Sequence, residues 1–328
     1  MNTKTSSENN NLNVDNTFNG FAPSRWMTDD PFIRSQSLNQ ITLLGSHDSG
    51  MCIYRRDSAL VHKGNVITQT CDIRQQLEYG VRYFDIRPVM SNDGDFYCGH
   101  FSNLSVFGWQ GACGLKLHDV IDQINDFCQN KKELIILNIC GQGSEENYIN
   151  IDNHYKDFEP QDYGYLIDRL RTTNNRCTCN KVLMPHEGLV SPKSIGELTV
   201  EKSVVIIRDK RNFCHGEFCT QDELPIYNHY AGTDDYVKMR DDQFNKMITY
   251  ANNPNELFLL SWTLTQKGLD VVYKPILELA AIANSHIEEI SSKVESTRKF
   301  PNIVYLDKID NYDGFICIQK INELRKNN

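Results

Sequence analysis

The chain has 328 residues, of which 40% are apolar and 10% aromatic, enough for one large domain built on a single core. Its formal net charge of −9, from 34 basic and 43 acidic residues, excludes a nucleic-acid binder or an anionic-membrane binder held by bulk charge. Any recognition of phosphate has to be local.

Residues 1–22 read as a disordered, polar, Asn-rich tail. The tail has neither the basic nor the apolar region of a signal peptide, and no apolar run reaches the roughly 18 residues of a membrane span. The expectation is therefore a soluble, cytoplasmic protein with no transmembrane segment. After the tail, Ile41 to Gly45 is a short apolar run ending in Gly-Ser, Asp72 to Tyr79 is helical, and Val81 to Ile86 is strand-like. Leu117, Val120, Ile121, Ile124, Phe127 and Cys128 form the i, i+3, i+4, i+7 stripe of a helix that faces a sheet. Leu134 to Ile139 is apolar throughout but for Asn138, the pattern of a strand buried on both faces.

Farther on, Asp162 to Thr172 reads as helix, and Lys181 to Met184 and Ser203 to Ile207 as strands. Asp235 to Asn252 is helical, Glu256 to Trp262 a strand, and Pro275 to Lys299 one long helix opened by proline. Ile303 to Leu306 is the last clear strand, before a helix or strand pair near Phe315 to Leu324. The alternation predicts an α/β fold with a parallel sheet, a TIM-type (β/α) barrel that is irregular or incompletely closed. No G-x-G-x-x-G or Walker loop opens a helix, which counts against a nucleotide site.

The eleven cysteines are odd in number and scattered, which favours reduced thiols over a disulfide framework. Cys177, Cys179, Cys214 and Cys219 raise the alternative of a four-thiolate zinc site, but their spacing matches no common knuckle and ordinary loop thiols are the expectation.

Three stretches carry the chemistry: Leu44 to Gly50 with His47 in a turn, Val81 to Pro88 ending in Asp85-Ile86-Arg87, and Phe96 to His100 closing on a Gly-His turn. A base, an acid and a fixed cation are what cleavage of a phosphodiester needs. His47, Arg87, Arg208, Trp262 and Asp307 all fall at or just past the C-terminal end of a predicted strand, the rim where barrel enzymes hold their active sites. His47 alone could be an ordinary turn residue, and Arg87 with Asp85 an ordinary salt bridge.

These stretches resemble the X domain of phosphatidylinositol-specific phospholipase C in its bacterial-like, single-domain form. The likeness is tightest from Ile41 to His100, resumes at Leu134–Cys140, Val204–Arg208 and Leu257–Thr265, and returns at Ile303–Ile309, so the catalytic barrel domain would span residues 23–328. The resemblance implies a phosphodiesterase that acts at a phosphatidylinositol-containing membrane surface as a peripheral protein. Its products would be diacylglycerol and inositol 1,2-cyclic phosphate.

By the same resemblance His47 is the general base for the inositol 2-hydroxyl, Asp307 its carboxylate partner, His100 the general acid and Asp48 the partner of His100. Arg87 stands where the calcium-dependent branch has a metal-binding carboxylate, so neither metal nor other cofactor is expected, and Asp85 would pin the guanidinium. Arg208 would contact inositol or phosphate, Asp234 and Tyr236 resemble a substrate-binding Asp-x-Tyr, and Trp262 is either a pocket wall or core.

Cys140 departs from the family, whose bacterial enzymes have a lysine at this strand end. The uncharged stretch with Phe101, Leu104, Val106, Phe107, Gly108 and Trp109 could dip into a membrane or pack over the barrel mouth. The alternatives to a phospholipase are a related glycerophosphodiester phosphodiesterase and a catalytically weak or silent headgroup-binding protein. The first normally needs a carboxylate-bound metal.

Overall fold

The computed structural model describes residues 20–91, 94–104, 106–143, 147–151, 156–177, 193–211, 217–267 and 274–328. The predicted strand at Lys181 to Met184 and most of the N-terminal tail lie outside them.

Among the described residues eight short strands make a parallel sheet: β1 Leu43–Ser46, β2 Val81–Ile86, β6 Leu134–Ile139, β9 Val204–Asp209, β10 Cys219–Thr220, β11 Ile226–Asn228, β12 Leu257–Ser261 and β13 Ile303–Leu306. Their order is β10-β9-β6-β2-β1-β13-β12-β11, with no pairing between the two outer strands, so the barrel is open on one side as expected. The strands read as apolar runs because both faces are covered, with helices outside and packed side chains within. The residues of β1, β2, β6, β12 and β13 are all buried. At the centre Gly45 lies in register with Tyr83 on one side and Tyr305 on the other, and any Cβ there would meet Ile303 at 2.7 Å. The missing side chain makes room for the two rings.

The helix Leu117–Cys128 buries the six residues of the predicted stripe. Asp72 caps Ile73–Glu78 by accepting from Gln75 N, with Gln75 returning the bond in a capping box. Asp313–Lys326 is one continuous helix, which resolves the choice left open near Phe315.

Two expectations need correction. The long helix over 275–299 is broken into Ile276–Asn284 and Glu288–Thr297. At the break the Ala283 carbonyl accepts from the Trp262 indole at 2.8 Å and from His286 N at 3.1 Å, while Asn284 turns its amide onto the carbonyls of Asp307 and Lys308. Tertiary partners take the groups a continuous helix would use. The second correction concerns His100, which lies within a strand rather than a turn. It belongs to a five-stranded sheet of order β5-β4-β3-β7-β8, built from β3 Pro88–Met90, β4 Phe96–Leu104, β5 Gly108–Lys116, β7 Ile149–Asn150 and β8 Lys156–Asp157.

The opposite end of the barrel is closed by a buried ion pair. Arg82 donates from Nε to Glu133 Oε2 at 2.8 Å and from its other nitrogens to the carbonyls of Leu77, Val81 and Pro23, and Glu133 accepts from Thr28 N and Oγ1. Both side chains are wholly buried. Removing one partner strands the other charge, so Glu133→Ala should lower unfolding free energy by about 3–5 kcal/mol in urea denaturation. A loss below about 1 kcal/mol would contradict a closed pair.

Candidate active site

β2 runs directly through Arg87 into β3, so Arg87 occupies the joint between the two sheets. Its carbonyl accepts from Gly99 N at 2.9 Å and from Gln142 Nε2 at 3.0 Å, which brings β4, and with it His100, back over the end of the barrel. His47 follows β1 directly, its N–H donating to Leu306 O at 2.9 Å, and Asp307 follows β13. The turn after His47 is built by its own polar residues: Ser49 N donates to Asp85 O, Asp85 N to Ser49 Oγ, and Ser49 Oγ to Ser46 O. Asp48 adopts φ 44°, a left-handed conformation that Asp tolerates better than most residues. Gly50 is needed for packing, because a Cβ there would fall 2.3 Å from Cys98 Sγ on β4.

The structure brings His47, Asp48, Asp85, Arg87, His100 and Asp307 into one cluster. His47 Nδ1 lies 2.7 Å from Asp307 Oδ1, and His100 Nδ1 lies 2.5 Å from Asp48 Oδ2. Each imidazole therefore has one nitrogen fixed by a buried carboxylate and keeps about a fifth of its side chain exposed, 20% for His47 and 22% for His100. The Arg87 guanidinium links the two pairs. Its Nη1 is 3.0 Å from Asp48 Oδ2, and its Nη2 is 2.7 Å from Asp85 Oδ2 and 2.8 Å from His47 Nε2. A guanidinium nitrogen can only donate, so His47 Nε2 accepts there and its proton sits on Nδ1, toward Asp307.

Asp85 is the buried anchor of the cation. Its Oδ2 accepts from Arg87 Nε and Nη2, Tyr305 Oη at 2.5 Å and Asp48 N at 3.2 Å, and its Oδ1 from Cys140 Sγ at 2.9 Å. Burial works against the Asp85 charge, but Arg87 outweighs it and holds the carboxyl below the usual range. Burial also opposes the charge on Arg87, and Asp48 and Asp85 more than compensate, raising its pKa. Burial raises the Cys140 thiol, with Asp85 adding to the effect, so Cys140 offers a neutral donor where a lysine would bring a charge.

His47 is pulled both ways: burial lowers its pKa, while the charge and hydrogen bond of Asp307 outweigh that, and the result is raised. Asp307 consequently stabilises the folded state most when His47 is protonated, fully so below the unfolded imidazole value of about 6.5, and the contribution is lost as pH rises through the raised folded value. The melting-temperature gap between the wild type and Asp307→Asn should be largest near or below about pH 6.5 and narrow above it. A gap independent of pH across that window would refute the pairing.

Residues not anticipated from sequence complete the site. Tyr305 donates to Asp85 and sets its ring edge-on to His47 at 5.2 Å. Gln69 donates to the carbonyls of His47 and Leu306 and accepts from Ile309 N, tying the ends of β1 and β13 together. Tyr305 had a legible signal, since it precedes Asp307 by two residues on a strand and so shares its face.

The other candidates take different partners. Arg208 is buried in the sheet, donating to Asn138 Oδ1 at 2.6 Å and Leu224 O at 2.7 Å. Trp262 is core and not a pocket wall: its indole bonds the 276–284 helix and its ring packs on Phe244 and Tyr236. Tyr236 stacks on His286 at 4.2 Å, and Asp234 accepts from Lys274 at 2.9 Å. The four-thiolate zinc alternative also fails. Cys219 is disulfide-bonded, and Cys177 is a free thiol. A sulfur in an S–S bond is no thiolate ligand, and the expectation of reduced thiols throughout is corrected at this position. Cys179 and Cys214 lie outside the described residues. No group of three or more His, Cys, Asp or Glu side chains is placed to hold a metal ion among the described residues, and no described helix is long and apolar enough to cross a membrane.

No family model matches the sequence, and no curated protein matches it. Solved structures do match the fold. A pentafluoro-phenylalanine-containing phosphatidylinositol-specific phospholipase C from Staphylococcus aureus is similar with a TM-score of 0.61 at 15% identity, over 90% of this chain and 97% of that one. The phosphatidylinositol-specific phospholipase C from Listeria monocytogenes is similar with a TM-score of 0.58 at 19% identity, over 94% of this chain and 99% of that one. At such identity the likeness establishes the architecture, an incompletely closed barrel of the kind seen in these bacterial phospholipases.

Proposed function

We propose that the protein is a phosphodiesterase of the phosphatidylinositol-specific phospholipase C type, cleaving phosphatidylinositol to diacylglycerol and inositol 1,2-cyclic phosphate. The observation that carries this reading is the paired geometry: two imidazoles, each fixed at Nδ1 by a buried carboxylate, joined by one guanidinium. His47 Nε2 takes the proton of the inositol 2-hydroxyl, whose oxygen attacks phosphorus within the same molecule, gaining the proximity effect. The bond from phosphorus to the diacylglycerol oxygen breaks, and His100 Nε2 supplies the proton to that oxygen. Arg87 sits between the two proton-transfer sites, so its charge falls where the phosphoryl oxygens become more negative. For the hydroxyl to reach His47 Nε2 it must displace the Arg87 N–H that occupies this nitrogen, and a bound phosphate gives that N–H a new partner.

Arg87 holds the place of a metal ligand with a permanent positive charge, so the reaction should proceed in EDTA and gain nothing from calcium. Phosphorus NMR of the products from phosphatidylinositol vesicles with chelator present should show the five-membered cyclic phosphodiester. Activity abolished by chelator and restored by calcium would overturn the metal-free mechanism, and a phosphomonoester as first product would overturn the internal attack. Reversible attachment to the membrane accords with this reading.

A further inference from the structure

The hairpin that carries His100 ends in the most exposed apolar side chains described in the protein. Val106 is 85% exposed and Phe107 63%, with Leu104 beside them. Phe101 and Trp109 of the same uncharged stretch are buried, so the structure divides it into a supported base and an apolar tip. From Phe101 to Leu115 the sequence has no charged residue.

The segment 55–60 runs alongside β5 toward that tip. Arg55 pairs with Cys113 through both backbone bonds, Ser58 N donates to Gly111 O, and Leu60 N reaches Gln110 Oε1. Exposed Arg55 thus lies back from the tip, while Arg56 turns its guanidinium onto the Tyr97 ring at 5.0 Å, and exposed Leu60 lies nearer to the tip, beyond Asp57, which accepts from Tyr54. Apolar groups in front with a cation set behind them match the order of an anionic bilayer surface, acyl chains first and headgroups above. His100 precedes Leu104 by four residues, roughly 13 Å along the strand. A tip immersed by about 5–10 Å would leave His100, with Arg55 close beside its level, at the headgroups.

We propose that the β4–β5 hairpin is a membrane wedge, with Leu104, Val106 and Phe107 entering the acyl boundary of an anionic bilayer and Arg55 meeting its headgroups. This deepens the phospholipase reading by naming the element that seats the site on lipid, and it answers how a chain of net charge −9 meets an acidic surface: through a local patch.

The test uses vesicles of phosphatidylcholine mixed with an equal part of phosphatidylglycerol, an anionic lipid without inositol, so binding is read without any turnover. Wild type should co-sediment with these vesicles, and the double variant Val106→Ser, Phe107→Ser should bind at least about tenfold more weakly while melting at the wild-type temperature. In Phe107→Trp, vesicles should shift the emission to the blue and brominated lipid should quench it. Equal sedimentation of wild type and double variant, absence of wild-type binding, or an emission unchanged by vesicles would each overturn the wedge. A chain that binds these vesicles through the hairpin yet cleaves no phosphatidylinositol would overturn the phospholipase reading instead.

Discussion

His47→Ala and His100→Ala should each lower turnover of phosphatidylinositol by about 10²–10⁴-fold, the usual cost of removing a general base or acid. Neither change should unfold the protein, because each imidazole is partly exposed and the sheet ends are held independently by Gln69 and Gln142. The two variants separate when the leaving group changes. A nitrophenolate ester of inositol phosphate departs without needing a proton, so it should restore much of the activity of His100→Ala and little of that of His47→Ala. The opposite pattern would exchange the roles of the two residues. Loss of folding in both, seen as a collapsed near-ultraviolet dichroism, would show that the imidazoles act mainly as structural partners for Asp307 and Asp48.

Much of this cluster was legible through the family resemblance of its three stretches, and strand periodicity explains why those positions converge. Gly45, Tyr83, Tyr305 and Ser261 lie side by side across the sheet, and two residues further on come His47, Asp85, Asp307 and Thr263. With a period of two, each pair shares a face. Trp262 follows Ser261 by only one residue, so it turns to the helices, and position at the strand end was an insufficient guide without this parity. Arg208 does keep the parity of Asp85 through Asn138, but its guanidinium is taken by Asn138 and a backbone carbonyl. Parity gives the face and leaves the partner open.

The antiparallel sheet was hidden for a different reason. β4 and β5 contain Gly99, Gly108, Gly111 and Gly114, which weaken strand propensity and mask alternation, so the hairpin resembled loop around a Gly-His pair. The break in the 275–299 segment was equally unreadable, since Trp262, which takes the Ala283 carbonyl, is distant in sequence. Local preference called for helix and a tertiary contact decided otherwise.

Arg87→Lys should lower kcat at least about 10²-fold while changing vesicle binding far less, and this difference separates a catalyst from a headgroup binder. The guanidinium makes three kinds of contact at once, to Asp85 through Nε and Nη2, to Asp48 through Nη1 and to His47 through Nη2. An ammonium is a single point with three donors and cannot keep this planar set while also meeting two phosphoryl oxygens. Asp85 would retain a positive partner, so the buried carboxylate is not left uncompensated and the fold should survive. What is lost is charge placed where it develops in the transition state. For a protein that only binds headgroups there is no such state: wild type would sediment with phosphatidylinositol vesicles and release no diacylglycerol, and Arg87→Lys would alter affinity alone. Cys140, a neutral thiol bonded to Asp85 at a strand end where the family resemblance leads one to expect a lysine, makes this the sharper test, because it leaves Arg87 as the one cation in the described cluster. Co-sedimentation and initial rate should therefore be measured on one preparation. A rate that falls only as far as binding falls would mean that Arg87 holds the substrate and does nothing further for the reaction.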